Sequence, residues 1–330
     1  MKILFMGVRD DERAALDTWR DEHPEHTVTD TTEILTPDTV SMLDDVDALC
    51  VQQVIAIEAP VIAQAAEKGI VQISSRTAGV DMIDVAAARE HGITVTNVPS
   101  YSPNAIAEFA LASTLYLTRR FPLILERGAA HDFRFGGMIG RELRTMRVAI
   151  IGTGLIGRIT ARHFASLGAE VVGFDLFQND EFTQIGAYAP SLEEAITGVD
   201  VVSLHVPLTG DNHHLMGAEQ FALMADGAIM VNAARGGLVD TEALIAALES
   251  GQLGGAALDV YENEAQYFRY DWQGKELGDP ILEKLLDRDD VLVTPHVAFY
   301  TETAVAALVT SGLDNAVEAK ETGTCASAVN

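Results

Sequence analysis

Three short stretches hold side chains suited to chemistry. Asn232-Ala233-Ala234-Arg235-Gly236-Gly237 sets an arginine among small residues, Asp259-Val260-Tyr261-Glu262-Asn263-Glu264 is a cluster of carboxylates, and Thr294-Pro295-His296-Val297-Ala298-Phe299-Tyr300 carries one histidine. A guanidinium matches a carboxylate through two parallel hydrogen bonds. A histidine beside a carboxylate is favoured in its charged form near neutral pH and can protonate a forming alkoxide. Arg235, an acid and His296 together meet the needs of hydride transfer at a 2-oxo acid. The arginine would fix the substrate carboxylate and polarise the carbonyl, and the histidine would supply the proton. Singly, each residue type more often serves a surface ion pair or packing. The set gains weight only if one edge of a fold gathers it.

A fourth stretch, Val148–Asp175, indicates that fold. An apolar run meets Gly152-Thr153-Gly154-Leu155-Ile156-Gly157, a helical pattern follows, and a second apolar run ends on Asp175. G-x-G-x-x-G is weak evidence alone. Placed between strand and helix, with an acid about 20 positions on, it is a dinucleotide-binding signature. Gly152 allows the tight turn, Gly154 lets backbone approach a pyrophosphate, and Gly157 lets helix pack close to strand. The helix start offers free N–H groups to phosphates. Asp175 would accept hydrogen bonds from ribose hydroxyls and repel a 2′-phosphate, which favours NAD over NADP.

The elements that must position these residues alternate in both halves of the chain. Strands are predicted at Ile3–Val8, Val46–Gln52, Ile70–Ser74 and Ile93–Asn97, with helices between them. A Pro/Ser/Asn-rich break at Asn97–Asn104 precedes a long helical pattern, Asn104–Glu126, that Pro122 should kink or break. Six further strands follow, near Val148–Ile151, Glu170–Phe174, Val199–His205, Ala228–Val231, Gly255–Leu258 and Val291–Val293. Such alternation predicts doubly wound parallel sheets. Ligands of such sheets gather beyond the carboxyl ends of the strands. Arg235, the 259–264 cluster and His296 each lie just past a strand, on that edge.

With 330 residues the chain suffices for about two domains. It carries 49 acidic against 22 basic residues, a net charge of −27, which argues against nucleic acid and against an anionic membrane surface. Such a balance also suits a salt-adapted or acid-tolerant host. Cys50 and Cys325 lack metal spacing and suit a reducing, cytoplasmic setting, Cys50 as a core residue and Cys325 as an exposed thiol in a polar tail. His213-His214 has no acidic or cysteine partner at metal spacing, so no metal site is predicted.

Asn232–Asp240 (NAARGGLVD), Asp259-Val260-Tyr261-Glu262 and Thr294-Pro295-His296 together resemble the D-isomer-specific 2-hydroxyacid dehydrogenase family. Ser102–Glu108 (SPNAIAE), His205-Val206-Pro207-Leu208-Thr209, Asp271-Trp272-Gln273-Gly274-Lys275-Glu276 and Leu292–Tyr300 (LVTPHVAFY) are similar to its D-lactate and D-2-hydroxyisocaproate branch. The likeness spans nearly the whole chain. It implies NAD-dependent, reversible reduction of 2-oxo acids to D-2-hydroxy acids. Arg235 would bind the substrate carboxylate and carbonyl, His296 would be the acid/base and Glu264 its partner. Gly152, Gly154, Leu155, Ile156, Gly157 and Asp175 would hold the dinucleotide, with Val206, Pro207, Asn212, Ala233, Ala234, Arg235 and Asp259 beside it. Ala78 and Gly79 would bind the carboxylate through backbone N–H groups, and Tyr101 and Phe299 would line the pocket.

The resemblance also implies an α/β architecture of two doubly wound parallel-sheet domains with a cleft between them. One is a flavodoxin-like substrate domain of residues 1–101 and 300–330. The other is an NAD-binding Rossmann domain of residues 102–299, through which a homodimer would form. Where lactate-preferring relatives tend to carry an aromatic residue, this chain has Val51. That predicts room for larger acids such as 2-oxoisocaproate or phenylpyruvate, as good substrates beside or above pyruvate; the alternative is a D-lactate dehydrogenase proper. The same fold also serves NAD-sensing binding proteins, against which the retained Arg, Glu and His speak.

Overall fold

A computed structural model describes residues 1–53 and 55–330. The chain forms two compact units, Met1–Ser102 with Tyr300–Asn330, and Pro103–Phe299.

In the first unit β1 (Lys2–Met6), α1 (Arg13–Glu22), β2 (Thr27–Thr31), β3 (Ala48–Val51), α2 (Ala59–Glu67), β4 (Gln72–Ser75), α3 (Val85–Glu90) and β5 (Thr94–Thr96) alternate. The five strands are parallel in the order β2-β1-β3-β4-β5. Side chains alternate across the sheet. Leu4, Met6, Leu49 and Val51 pack with Ile62 and Ala88 of α2 and α3. Ile3, Phe5, Ala48 and Cys50 pack with Trp19 of α1 and with Val309 and Leu313 of the C-terminal helix, Glu302–Thr322. That helix comes so close that a Cβ on Gly312 would lie 2.8 Å from Arg76 Cγ, so only glycine fits. Strand β2 escapes sequence reading because TVTDT buries only Val28.

The C-terminal tail folds back on this unit. Asn97 N–H donates to Ser327 O and Val329 N–H to Val95 O, while Asn330 receives Val95 N–H and donates to Ile93 O, all along β5. Cys325 is therefore buried, its Sγ 3.1 Å from Glu318 Oε2, and burial pushes its thiol up. This corrects the expectation of an exposed thiol.

The second unit begins with α4 (Pro103–Thr118) and α5 (Phe121–Ala129). The predicted long helix does break, but at Arg120, whose φ of 58° is left-handed; Pro122 sits in the first turn of α5, where its missing N–H costs nothing. There follow β6 (Arg147–Ile151), α6 (Leu155–Ser166), β7 (Glu170–Phe174), α7 (Asp180–Thr183), β8 (Ala187–Tyr188), α8 (Leu192–Ile196), β9 (Val201–Leu204), α9 (Ala218–Leu223), β10 (Ala228–Asn232), α10 (Thr241–Ser250), β11 (Leu253–Leu258), α11 (Pro280–Leu286) and β12 (Val291–Val293). The seven strands are parallel, ordered β12-β11-β10-β9-β6-β7-β8. The two-residue β8 is the strand sequence periodicity misses. One face packs on α4 and α6 through Val148, Ile150, Val201 and Ile229, and the other on α8–α10 through Ala149, Ile151, Val202 and Met230. The order reverses between β6 and β9, the switch point where such sheets bind dinucleotides.

Among the described residues no helix is long and apolar enough to cross a membrane.

Candidate active site

The glycine signature sits at that switch point. Gly152 has φ of +92°, and a Cβ there would lie 2.6 Å from the His205 carbonyl at the end of β9. A Cβ on Gly157 would fall 1.9 Å from Gly152 O, so helix α6 can approach β6 only with glycine. Gly154, which precedes the first residue of α6, would point a Cβ into open space. The loop therefore presents bare backbone and a helix N-terminus, as a pyrophosphate requires. Leu155 is exposed and Ile156 half-buried at that terminus, and Val206 packs on Gly152 from the next loop.

Asp175 ends β7. Its Oδ2 accepts from Thr153 N–H at 2.6 Å and its Oδ1 from Phe177 N–H at 2.9 Å. With a further bond from Thr153 Oγ1 at 3.2 Å, three of the carboxylate's about four acceptor sites are used, which leaves capacity for a ribose hydroxyl. Leu176 and Phe177, almost fully exposed beside it, add an apolar surface. Thr153 is also tied to Tyr188 OH of β8 at 2.6 Å, a buttress without a sequence signal. These residues fit a dinucleotide. In the loop after β9, Asn212 holds its own turn, accepting from Thr209 N–H at 2.7 Å and donating to Pro207 O at 2.8 Å. His205 is held neutral, its imidazole pulled down to about 4 by burial, and its Nε2 lies 2.9 Å from Ser203 Oγ.

The three chemical stretches gather on neighbouring loops past β10, β11 and β12. Asn232, buried at the end of β10, donates to Arg235 O at 2.8 Å and accepts from Ala234 N–H at 3.0 Å, which shapes the Ala233–Arg235 turn. Sequence reading quotes Asn232 without a role, and its place as the last strand residue is the signal. A Cβ on Gly236 would sit 2.2 Å from the Tyr261 carbonyl carbon, so the β10 and β11 loops touch backbone to backbone.

Glu264 is gripped on both oxygens. Its Oε2 accepts from Tyr261 N–H at 3.0 Å, and its Oε1 lies 2.6 Å from His296 Nδ1. Burial alone would raise its pKa, but the hydrogen bond and charge of His296, the Tyr261 N–H and the charge of Arg235 hold it below the usual carboxylate range. With Nδ1–H committed to Glu264, the proton that His296 can exchange is on Nε2. Tyr261 is anchored in turn, its hydroxyl donating to Asp279 Oδ2 at 2.8 Å.

Asp259 is spent on backbone and side-chain donors of the β12 loop. Its Oδ1 accepts from Thr294 Oγ1 at 2.6 Å and Val297 N–H at 2.9 Å, its Oδ2 from Ala298 N–H at 2.7 Å. Its carboxylate thus shapes the turn that carries His296. His296 itself is left-handed, with φ of 57°, and its N–H donates to Asp259 O. Burial raises the pKa of Asp259 against the pull of those three donors. Phe299 meets the His296 ring edge-on at 6.5 Å.

The remaining expected residues lie in the first unit. Ala78 and Gly79 follow β4, and their carbonyls accept from Asn97 Nδ2 and Thr77 Oγ1. Tyr101 is half-buried. Val51 lies fully buried among Leu4, Met6, Leu49 and Ile62. It is a core residue of β3, so it cannot set the size of a pocket by its own side chain.

His213 and His214 correct another ground. The fold brings Glu262 to both, 2.9 Å from His213 Nε2 and 3.3 Å from His214 Nε2, a partner 48 or more residues away that local spacing cannot show.

Residues 111–298 match the family model described as D-isomer specific 2-hydroxyacid dehydrogenase, NAD binding domain. A D-lactate dehydrogenase of Lactiplantibacillus plantarum is 43% identical over 323 residues, 98% of this chain and 97% of its own. Among solved structures, a D-lactate dehydrogenase from Treponema pallidum is 39% identical with a TM-score of 0.93, each chain covered fully. A D-2-hydroxyisocaproate dehydrogenase is 35% identical with a TM-score of 0.93, over 100% of this chain and 99% of that one. The fold agrees with these likenesses, and the chain belongs to the NAD-dependent D-isomer-specific 2-hydroxyacid dehydrogenase family.

Proposed function

We propose that the chain interconverts pyruvate and D-lactate. The observation that carries this is the Glu264–His296 pair beside Arg235, in a chain 43% identical to a D-lactate dehydrogenase. Bound NADH supplies the hydride that reaches the substrate's C2. Arg235 holds the substrate carboxylate and draws charge onto the carbonyl oxygen. His296 gives its Nε2 proton to that oxygen as the C2–O bond becomes a hydroxyl, and Glu264 fixes the ring and steadies its charge. Phe299, edge-on to the His296 ring, adds an apolar wall on that side. Gly152, Gly154, Leu155, Ile156, Gly157 and Asp175 hold the dinucleotide, with Val206, Pro207, Asn212, Ala233 and Ala234 beside it.

The likeness to a D-2-hydroxyisocaproate dehydrogenase favours a second reading, in which longer 2-oxo acids are also reduced. A pocket discriminates one methylene by only about 1–3 kcal/mol. The experiment is NADH oxidation with pyruvate, 2-oxoisocaproate and phenylpyruvate, with chiral analysis of the product. Pyruvate should give the highest kcat/KM and D-lactate. A higher value for either larger acid replaces the first reading with the second, and binding of NADH without turnover ends both.

A second copy of the chain as partner is supported by α5, which buries none of its residues, and by Phe133, Phe135 and Ile139 just after it, each more than four-fifths exposed. So many exposed apolar groups mark an association surface. Sedimentation should give a dimer, and a monomer at micromolar concentration would refute it. Two unpaired cysteines suit a reducing cytoplasm.

A further inference from the structure

We propose that His213, His214 and Glu262 form a binding site for one divalent first-row transition ion of the zinc or cobalt class. Neighbouring residues of an extended chain point apart. Here the left-handed backbone of His214, φ 55°, turns its ring onto that of His213, with centroids 3.9 Å apart and planes at 28°. Both Nε2 atoms then face one oxygen, Glu262 Oε1, at 2.9 and 3.3 Å, and the three ligand atoms lie within 4.8 Å of one another. An ion about 2.1 Å from nitrogen and oxygen, in tetrahedral geometry, separates its ligands by about 3.4 Å. The observed spacings are close to that, so an ion can enter with little movement. Two imidazoles and one carboxylate suit zinc or cobalt, whereas magnesium and calcium prefer all-oxygen sets. The fourth position remains for water.

The ligands are held before any ion arrives. Asn212 fixes the turn ahead of them, His214 N–H donates to Gly237 O at 2.8 Å, and Met216 N–H donates to Leu238 O at 3.0 Å. Such backbone ties keep ligand positions rigid. The side chains are reachable, with 51%, 37% and 36% of their surfaces exposed for His213, His214 and Glu262. Among the described residues this is the one such group of histidine, cysteine and acidic side chains. An ion there would join the loop after β9 to the loop after β11, on either side of Arg235-Gly236-Gly237. It is separate from the Glu264–His296 pair and does not depend on which acid the enzyme reduces.

The test titrates Co²⁺ into the full-length protein, freed of any histidine tag, and follows its visible d–d absorption. One equivalent should saturate a four-coordinate band, Zn²⁺ should displace it and Mg²⁺ should not. Asn tolerates the left-handed backbone, so His214→Asn removes the ligand without straining the turn. His214→Asn and Glu262→Gln should each weaken binding by at least about tenfold, since even outer-shell changes cost 10–100-fold. Zn²⁺ should also raise the melting temperature of the wild type by more than that of either variant. A missing band, or equal affinity in wild type and variants, overturns the site. The carboxylate then simply bridges two histidines, and any ion bound is scattered over the acidic surface.

Discussion

Two glutamates two residues apart, on one loop past β11, each hold histidine. Glu264 grips one, His296 from the β12 side, and spends its second oxygen on Tyr261 N–H. Glu262 faces two, His213 and His214 from the β9 side. The first pair keeps 27–29% of its side-chain surface and the second group 36–51%. Charge and chemistry are alike, but partner number and solvent are not. One histidine on a doubly bonded, half-buried carboxylate suits proton transfer, and two histidines facing one exposed carboxylate suit the ion proposed above.

The most drastic way to break the contrast is His296→Gln, which keeps size and removes the transferable proton. Turnover should fall by about 10²–10⁴-fold, the usual share of general acid–base catalysis, with NADH affinity unchanged by fluorescence titration. A loss under threefold would unseat His296. Asp259→Asn should come next. It sets an amide donor against backbone donors of the His296 turn and should cost about 1–3 kcal/mol in urea unfolding, with turnover reduced as the turn loosens. Glu264→Gln sharpens the comparison through pH. The Glu264 pKa is lowered in the folded protein, so its contribution to stability is complete above the ordinary value of 4.5 and disappears as pH falls through the folded value. The variant should lack that loss, while an unchanged acid limb of the stability curve would show that Glu264 is not the group responsible. Without added metal, His213→Gln should be the mildest, costing less than about 1 kcal/mol as exposed ion pairs do. A larger loss would mean that the exposed cluster carries structural weight.

Much of this was legible before any coordinates. Gly152, Gly157 and Asp175 declare themselves because a tight turn, a close helix and a strand-end acid each restrict residue type at fixed spacing. Arg235, an acid of the 259–264 cluster and His296 follow once the parallel sheet places its strand ends on one edge, and the family resemblance singles out Glu264. What stayed hidden was long-range. Nothing local tells that Asp259 spends its carboxylate 35–39 residues away, or that Glu262 meets His213. Val51 misled for the same reason. Its position along the chain is beside Gln52-Gln53, but the pleat of β3 turns it into the core. Strand β2 and the two-residue β8 lack the apolar alternation that periodicity needs.

The C-terminal tail that lies along β5 has a consequence for self-association. An open parallel sheet ends in a row of unpaired N–H and C=O groups, a template on which foreign strands can add. Here Ser327, Val329 and Asn330 occupy that row on the β5 side. The first unit thus carries its own edge guard, built from a polar tail rather than from a further strand, and growth of its sheet by stacking copies edge to edge is blocked on that flank.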